Sequence, residues 1–262
     1  MCDRDVGRPS SDRTRDVMSL PLETSPEGPH TVAFLQEGTI GGCQPVYSGS
    51  NSVFMLSVAW KGRWARAIYK PRDGEAPLWD FPDGTLYRRE HAAYLVSEAL
   101  GWRIVPPTVI RRGPYGVGVV QWFVNCAPSY DYRTLVEAHE EEFKKMAVFD
   151  CLVNNADRKV GHCLLEGDGH LWGIDHGLTF HSVLKLRTVI WDFAGQPVPG
   201  TLVDDLKSLR AKIFGRSLRN SLGQLLAADE IEAFSSRLTA IIERPFFPRW
   251  SGSYRSVPWP PF

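Results

Sequence analysis

No stretch of this chain approaches the roughly 20 consecutive apolar residues that a bilayer-spanning helix requires. Its arginine- and aspartate-rich opening, MCDRDVGRPSSDRTRD, has no apolar segment of the kind that directs secretion. An excess of charge of one sign is also lacking. Thirty basic residues balance thirty acidic ones for a formal net charge of zero, so the broad positive field expected of a protein that lives on nucleic acid is missing. The five cysteines, at positions 2, 43, 126, 151 and 163, include no Cys-x-x-Cys pair. That argues against a zinc ribbon and for reduced thiols that mostly serve as small core residues. No internal repeat is present. These absences predict a cytoplasmic protein with no transmembrane segment and no nucleic-acid partner.

At 262 residues and 43% hydrophobic content, the chain can build a sizeable core, either as one large domain or as two lobes around a cleft. Residues 1–30 are rich in Arg, Asp, Ser and Pro with little apolar periodicity, and read as disordered. Thr31 to Gly42 reads as a short helix or strand, and Pro45 to Ser52 as a polar loop. Val53 to Trp60 and Trp64 to Lys70 form a β-hairpin joined at Lys61-Gly62-Arg63. Thr85 to Leu100 reads as a helix closed by Gly101. A second hairpin runs from Ile104 to Arg112 and from Val117 to Val124, and Gln121 to Ser129 is the expected connection between lobes. Three helices follow late in the chain, Leu202 to Phe214, Leu218 to Ala227 and Ile231 to Ile242. The aromatic, Pro-rich end, PFFPRWSGSYRSVPWPPF, is expected to lie irregularly against the body.

The chain is organised around Ala147 to Phe180. A helix with apolar residues at Phe143, Met146, Phe149, Leu152 and Val153 gives way to the polar loop Asn154 to Gly161. Two short apolar runs, Cys163 to Leu165 and Leu171 to Ile174, flank Glu-Gly-Asp-Gly as a third hairpin. Immediately past it stands Asp175. Helix, polar loop, hairpin and acid is the layout of a phosphotransfer site, where one carboxylate orients an acceptor hydroxyl and another holds Mg²⁺. Asp157 lies five residues before His162 and eighteen before Asp175, which is the kinase spacing of base, metal ligand and second metal ligand.

NNADRKVGH with the later IDHG resembles the catalytic core of the phosphatidylinositol 3-/4-kinase superfamily and of HipA-type bacterial kinases. More closely, from about Gly38 to Pro199, the chain resembles an actinobacterial family related to phosphatidylinositol 3-/4-kinases. The resemblance implies an α+β, two-lobed protein-kinase-like fold, with a small β-rich N-lobe over residues 31–124 and a mainly helical C-lobe over 125–262. It implies an ATP-dependent phosphotransferase that uses Mg²⁺ or Mn²⁺ and acts on a hydroxyl of a protein, lipid or small molecule.

In that scheme Asp157 orients the acceptor and Lys159 neutralises the transferring group. His162 and Asp175 hold metal. Lys70, at the end of its strand, meets the α and β phosphates and is paired with Glu90, a carboxylate in an otherwise apolar helix stripe. Ser50 and Asn51, in the loop Ser48-Gly49-Ser50-Asn51, cover the phosphates, and backbone groups near Phe123 and Val124 face the adenine edge. Arg158 is expected to tie the loop down. Two residues depart from the pattern: His162 stands where the superfamily has Asn, and His176 where protein kinases have Phe. They leave room for a nucleotide-binding pseudokinase. A metal-dependent hydrolase using His162, Asp175, His176, His181, Asp157 and His170 is the weaker alternative, since no H-x-x-x-H spacing occurs and Lys70 and Glu90 would have no task.

Overall fold

The computed structural model describes residues 20–25, 30–47, 49–126, 131–214, 216–249 and 256–261. The chain divides into two compact units, one made of Met1–Tyr87 with Pro107–Phe123, the other of Arg88–Pro106 with Val124–Phe262.

The first unit carries helix α1 (Thr31–Glu37) and strands β1 (Thr39–Val46), β2 (Val53–Trp60), β3 (Arg63–Pro71), β4 (Thr108–Gly113) and β5 (Gly116–Trp122). They form one antiparallel sheet in the order β1-β2-β3-β5-β4. The β2–β3 hairpin turns at Lys61 and Gly62, both at positive φ (47° and 76°), the conformation that two-residue hairpin turns demand. Strand β4 starts at Thr108 because Pro106 and Pro107 cannot donate to a ladder. Alternate residues of β2 and β3 (Leu56, Val58, Ala65, Ala67 and Tyr69) are buried with Phe34, Leu35, Val109, Val120 and Trp122. Gly118 is needed where β5 passes β3, since a Cβ there would sit 2.4 Å from the Lys70 carbonyl oxygen.

The stretch Thr31 to Gly42 proves to be both of the elements it suggested, a helix and then the start of a strand. Strand β1 runs on through Pro45 into the stretch read as loop, an edge position where a proline costs no ladder bond. Of the stretch 1–30 read as disordered, residues 1–19 and 26–29 lie outside the described residues. Pro21 to Glu23 does have structure: Leu22 bridges Trp64 in parallel, and Glu23 pairs with Arg63.

The second unit contains α2 (Leu86–Leu100, from Arg88 onward), α3 (Tyr132–Ala138), α4 (Glu140–Val153), the hairpin β6 (Cys163–Leu165) and β7 (Leu171–Gly173), and helices α5 (Gly200–Phe214), α6 (Ser217–Gly223) and α7 (Ala228–Glu243). Gly101 follows α2 at φ 71°, the left-handed residue that ends a helix at least cost. The core centres on α4, whose Phe143, Met146, Phe149, Leu152 and Val153 are buried with Leu206, Leu209, Phe234 and Leu238 from α5 and α7. Among the described cysteines Cys163 is buried in the core, Cys43 packs partly buried against the sheet cluster, Cys151 is half-buried and Cys126 is exposed. No helix among the described residues is long and apolar enough to cross a membrane.

Candidate active site

Helix α4 stops at Asn154, which takes the left-handed conformation (φ 56°, ψ 54°) that Asn enters more readily than most residues. Its side chain then fastens the segment that follows Asp175. Nδ2 donates to the carbonyls of His181 and Val183, each at 2.8 Å, and Oδ1 accepts from the Lys185 amide at 2.8 Å. Asn155 works in the other direction: its side chain donates to Asp150 Oδ1 at 2.9 Å and accepts from the Asp157 amide at 3.0 Å. The helix end thus sets the backbone of the loop that carries Asp157.

Arg158 is completely buried and spends every N–H it has. Nε and Nη2 form a fork onto Asp150 Oδ2 and Oδ1, both at 2.9 Å. Nη1 donates to the carbonyls of His162 (3.1 Å) and Ile174 (3.0 Å), and Nη2 also donates to His176 Nε2 at 2.6 Å. A guanidinium has five donors, and all are matched. Burial opposes its charge and Asp150 more than restores it, so its pKa rises. Because arginine only donates, His176 Nε2 must be an acceptor and the ring is neutral. His176 thus serves as a spacer between loop and hairpin. The expectation for Arg158 is met: it ties the loop to helix α4, to the start of the hairpin and to the residue before Asp175.

The braced loop brings Asp157, His162 and Asp175 together, with one ligand atom from each lying within 4.8 Å of the others. His162 Nδ1 is 2.8 Å from the Asp157 carbonyl oxygen. A carbonyl only accepts, so Nδ1 carries the hydrogen. The Lys159 amide lies farther from the same nitrogen, at 3.4 Å, and cannot donate to an atom that is itself donating. In the neutral ring the lone pair therefore sits on Nε2, which faces Asp175 Oδ2 at 3.3 Å. Two acceptors face each other there, and only a cation between them, a proton or a metal ion, makes the arrangement favourable. Two carboxylates and one imidazole, its other nitrogen anchored to backbone, form a donor set that fits a divalent ion.

Lys159 Nζ lies 3.3 Å from Asp157 Oδ2, with both side chains about a quarter exposed (22% and 23%). Burial pushes the Asp157 carboxyl above its ordinary range; Lys159 opposes the shift and Asp175 adds to it.

Glu90 is buried in α2 (2% exposed), and its Oε2 accepts from the His176 amide at 3.0 Å. Within the second unit it therefore fixes the residue after Asp175. Its neighbour Arg89, also buried, donates to the Thr179 carbonyl and pairs with Glu230 of α7. Val124 belongs to this unit and is buried.

Ser50, Asn51, Lys70 and Phe123 belong to the first unit. Ser50 is exposed in a bend with Gly49, and Ser48 lies outside the described residues. Asn51 Oδ1 accepts from the Ala76 amide at 2.7 Å, joining its loop to the chain beyond β3. Lys70 stands on β3 opposite Val119. The Phe123 amide donates to the Arg66 carbonyl, and the Arg66 guanidinium lies 4.3 Å from the Phe123 ring centre. Of the connection Gln121 to Ser129, residues 127–129 lie outside the described residues.

Sequence reasoning missed Asp150, Asn154, Asn155 and Arg89. A usable signal existed for Asp150, a carboxylate inside an apolar helical run, which is the same sign that singled out Glu90.

The family model for phosphatidylinositol 3- and 4-kinase matches residues 87–209, which include all of α2 but its first residue, the loop and Asp175. Protein Rv2133c of Mycobacterium tuberculosis is 38% identical over 265 aligned positions, covering 88% of this chain and 95% of that protein. Among solved structures, the Helicobacter pylori proinflammatory kinase CtkA aligns with a TM-score of 0.48 and 13% identity over 78% of this chain and 93% of that one. With a β-sheet unit, a helical unit and a braced Asp157–His162–Asp175 loop and hairpin, this α+β chain belongs, with Protein Rv2133c, to a phosphatidylinositol 3- and 4-kinase-related family.

Proposed function

We propose that the protein transfers the γ-phosphoryl group of ATP to a hydroxyl. In that reaction the acceptor oxygen forms a bond to the γ-phosphorus, the bond from the γ-phosphorus to the bridging oxygen of ADP breaks, and the acceptor proton passes to Asp157. Lys159, beside Asp157, neutralises charge on the group in transfer. His162 and Asp175 would hold a divalent ion, which would supply charge neutralisation to the phosphates. Lys70 contributes to nucleotide affinity from β3, and Ser50, Asn51, Phe123 and Val124 are the nucleotide-facing candidates. Catalysis of this kind rests on positioning and electrostatics, which is what a loop fixed by Asn154, Asn155 and Arg158 supplies. The observation that carries the reading is the His162 Nε2–Asp175 Oδ2 contact at 3.3 Å, with Asp157 and Lys159 beside it on the same loop.

The deciding experiment incubates the protein with γ-labelled ATP and Mg²⁺ or Mn²⁺ against cell extract, alone and with acceptor fractions, and compares it with Asp157→Ala. Label transfer that depends on Asp157 supports the reading. Nucleotide binding with no transfer to any acceptor, the protein itself included, selects a binding module instead.

Two further outcomes are expected. Lys70→Ala weakens metal-dependent ATP affinity by about 1–3 kcal/mol, the scale of a charge-assisted contact, with the fold unchanged. Calorimetry on the folded variant checks this, and an unaltered affinity removes Lys70 from the site. His162→Asn shifts metal preference from Mn²⁺ toward Mg²⁺, because an imidazole nitrogen favours the later ion more than an amide oxygen does. Identical Mn²⁺/Mg²⁺ affinity ratios for wild type, His162→Asn and His162→Ala would show that the imidazole is not a ligand.

A further inference from the structure

The loop that carries Asp157 and His162 is closed from outside by the segment Ser256–Pro261. The Val160 amide, first of the 3-10 turn Val160–His162, donates to the Pro261 carbonyl at 2.9 Å. The first amides of a helical turn have no acceptor inside it, so this contact supplies what the turn cannot. Five residues earlier, the Ser256 carbonyl accepts from the Thr188 amide at 3.0 Å and from Trp191 Nε1 at 3.2 Å. Thr188 is bridged to Arg158, and the Arg158 amide and carbonyl bond Arg187 and Val189. Between the two ends Pro258 is buried, whereas Trp259 is 90% exposed. The segment therefore spans two backbone pieces, the turn bearing His162 and the stretch that flanks Arg158, and is anchored midway by a proline.

We propose that Ser256–Pro261 is a strap that holds the Val160–His162 turn, and through it the His162 imidazole, at the spacing where it shares a metal ion with Asp175. The strap residues are positioning residues; none touches the ion. The proposal rests on the metal reading of that cluster and requires nothing of phosphoryl transfer. Its physical basis is direct: Nδ1 of His162 is pinned to the Asp157 carbonyl and Nε2 faces Asp175, so movement of the turn changes the distance between the two ligands, and the strap adds to the hold that Arg158 and the Ile174 amide have on the His162 carbonyl.

The test uses Mn²⁺ alone, titrated into the full chain without nucleotide and followed by the loss of the free-ion paramagnetic signal. Three proteins are compared: wild type, a chain truncated after Arg255, and a chain with two glycines inserted between Pro258 and Trp259. The insertion leaves Ser256 and Pro258 in place and displaces only the Pro261 carbonyl, so it remains informative if the truncated chain fails to fold. The expected result is a Kd for Mn²⁺ raised about three- to tenfold by the insertion, the worth of one hydrogen bond, and by more in the truncation. Hydrogen exchange across residues 157–163 should quicken in both variants, while exchange in α5 and α7 stays as in wild type. Mn²⁺ uptake by wild type with an unchanged Kd in the variants overturns the strap and leaves the metal site standing. No uptake by wild type overturns the metal reading beneath it. A purely structural tail would lower thermal stability and accelerate exchange throughout the unit without a selective effect at the turn.

Discussion

Asp157→Ala loses phosphoryl transfer by about 10²–10⁴-fold, the range for a lost acid–base group, in a protein that stays folded. Little in the fold depends on this side chain. Lys159 pairs with it at 3.3 Å, partly exposed, and the loop backbone is held by Asn155 and Arg158 instead. Nucleotide affinity measured beside turnover separates two tasks for the carboxylate. If it acts on the acceptor alone, ATP affinity with Mn²⁺ stays within about twofold of wild type, less than a weak hydrogen bond would cost. If it is also a metal ligand, as its place among His162 and Asp175 allows, Mn²⁺ affinity without nucleotide falls together with transfer. Undiminished transfer would mean that another group serves as the base.

Arg158→Met destabilises the fold by about 3–5 kcal/mol, since it leaves Asp150 buried and charged without its partner. Both side chains are fully excluded from solvent. Against a total stability of roughly 5–15 kcal/mol, that change brings the variant close to unfolding at ambient temperature. Asp150→Leu should cost a similar amount by stranding the guanidinium. The double variant Asp150→Leu/Arg158→Met is expected to regain part of the loss, because no charge then remains buried. Recovery stays incomplete, as the Ile174 carbonyl loses its Arg158 donor and the His162 carbonyl keeps the Ile174 amide but loses the guanidinium. Denaturant titration of the three variants gives the coupling energy directly. Single-variant losses below about 1 kcal/mol, the scale of an exposed ion pair, would show that the pair is not the brace described.

The parts of this molecule that the sequence makes legible are those encoded by local pattern. Lys61-Gly62 and the Pro114-Tyr115 connection announce their hairpins through turn chemistry. The kinase spacing of Asp157, His162 and Asp175 survives in the chain because a loop and a two-stranded hairpin have nearly fixed lengths, and the structure places those residues within one small cluster. What stayed hidden is carried by the backbone or by distant partners. The full length of β1 escaped because Gly41, Gly42 and Pro45 break its alternation, and the register itself shifts between Ile40 and Gly42. Helix α2 is capped by Glu75, whose carboxylate accepts from the Leu86 and Tyr87 amides, far outside the reach of a capping-box pattern. The Pro261–Val160 contact joins a carbonyl to an amide, and neither group carries residue identity. Arg158 could be recognised as structural from its position in the motif. Its partners Asp150 and His176 required the fold.

Asp175 occupies the left-handed region at φ 62°. A β-carbon makes that conformation cost about 1–2 kcal/mol for most residues, while glycine enters it freely and Asp and Asn are partly excused. The carboxylate also faces a second one, Asp157, whose proton affinity it raises. On stability alone, glycine or asparagine would suit this position better than the residue present: either would ease the like-charge repulsion, and glycine would relax the backbone as well. A mutational screen that selects only for thermal tolerance should therefore drift away from aspartate here, and the families of variants it enriches would be robust proteins without the proposed metal ligand.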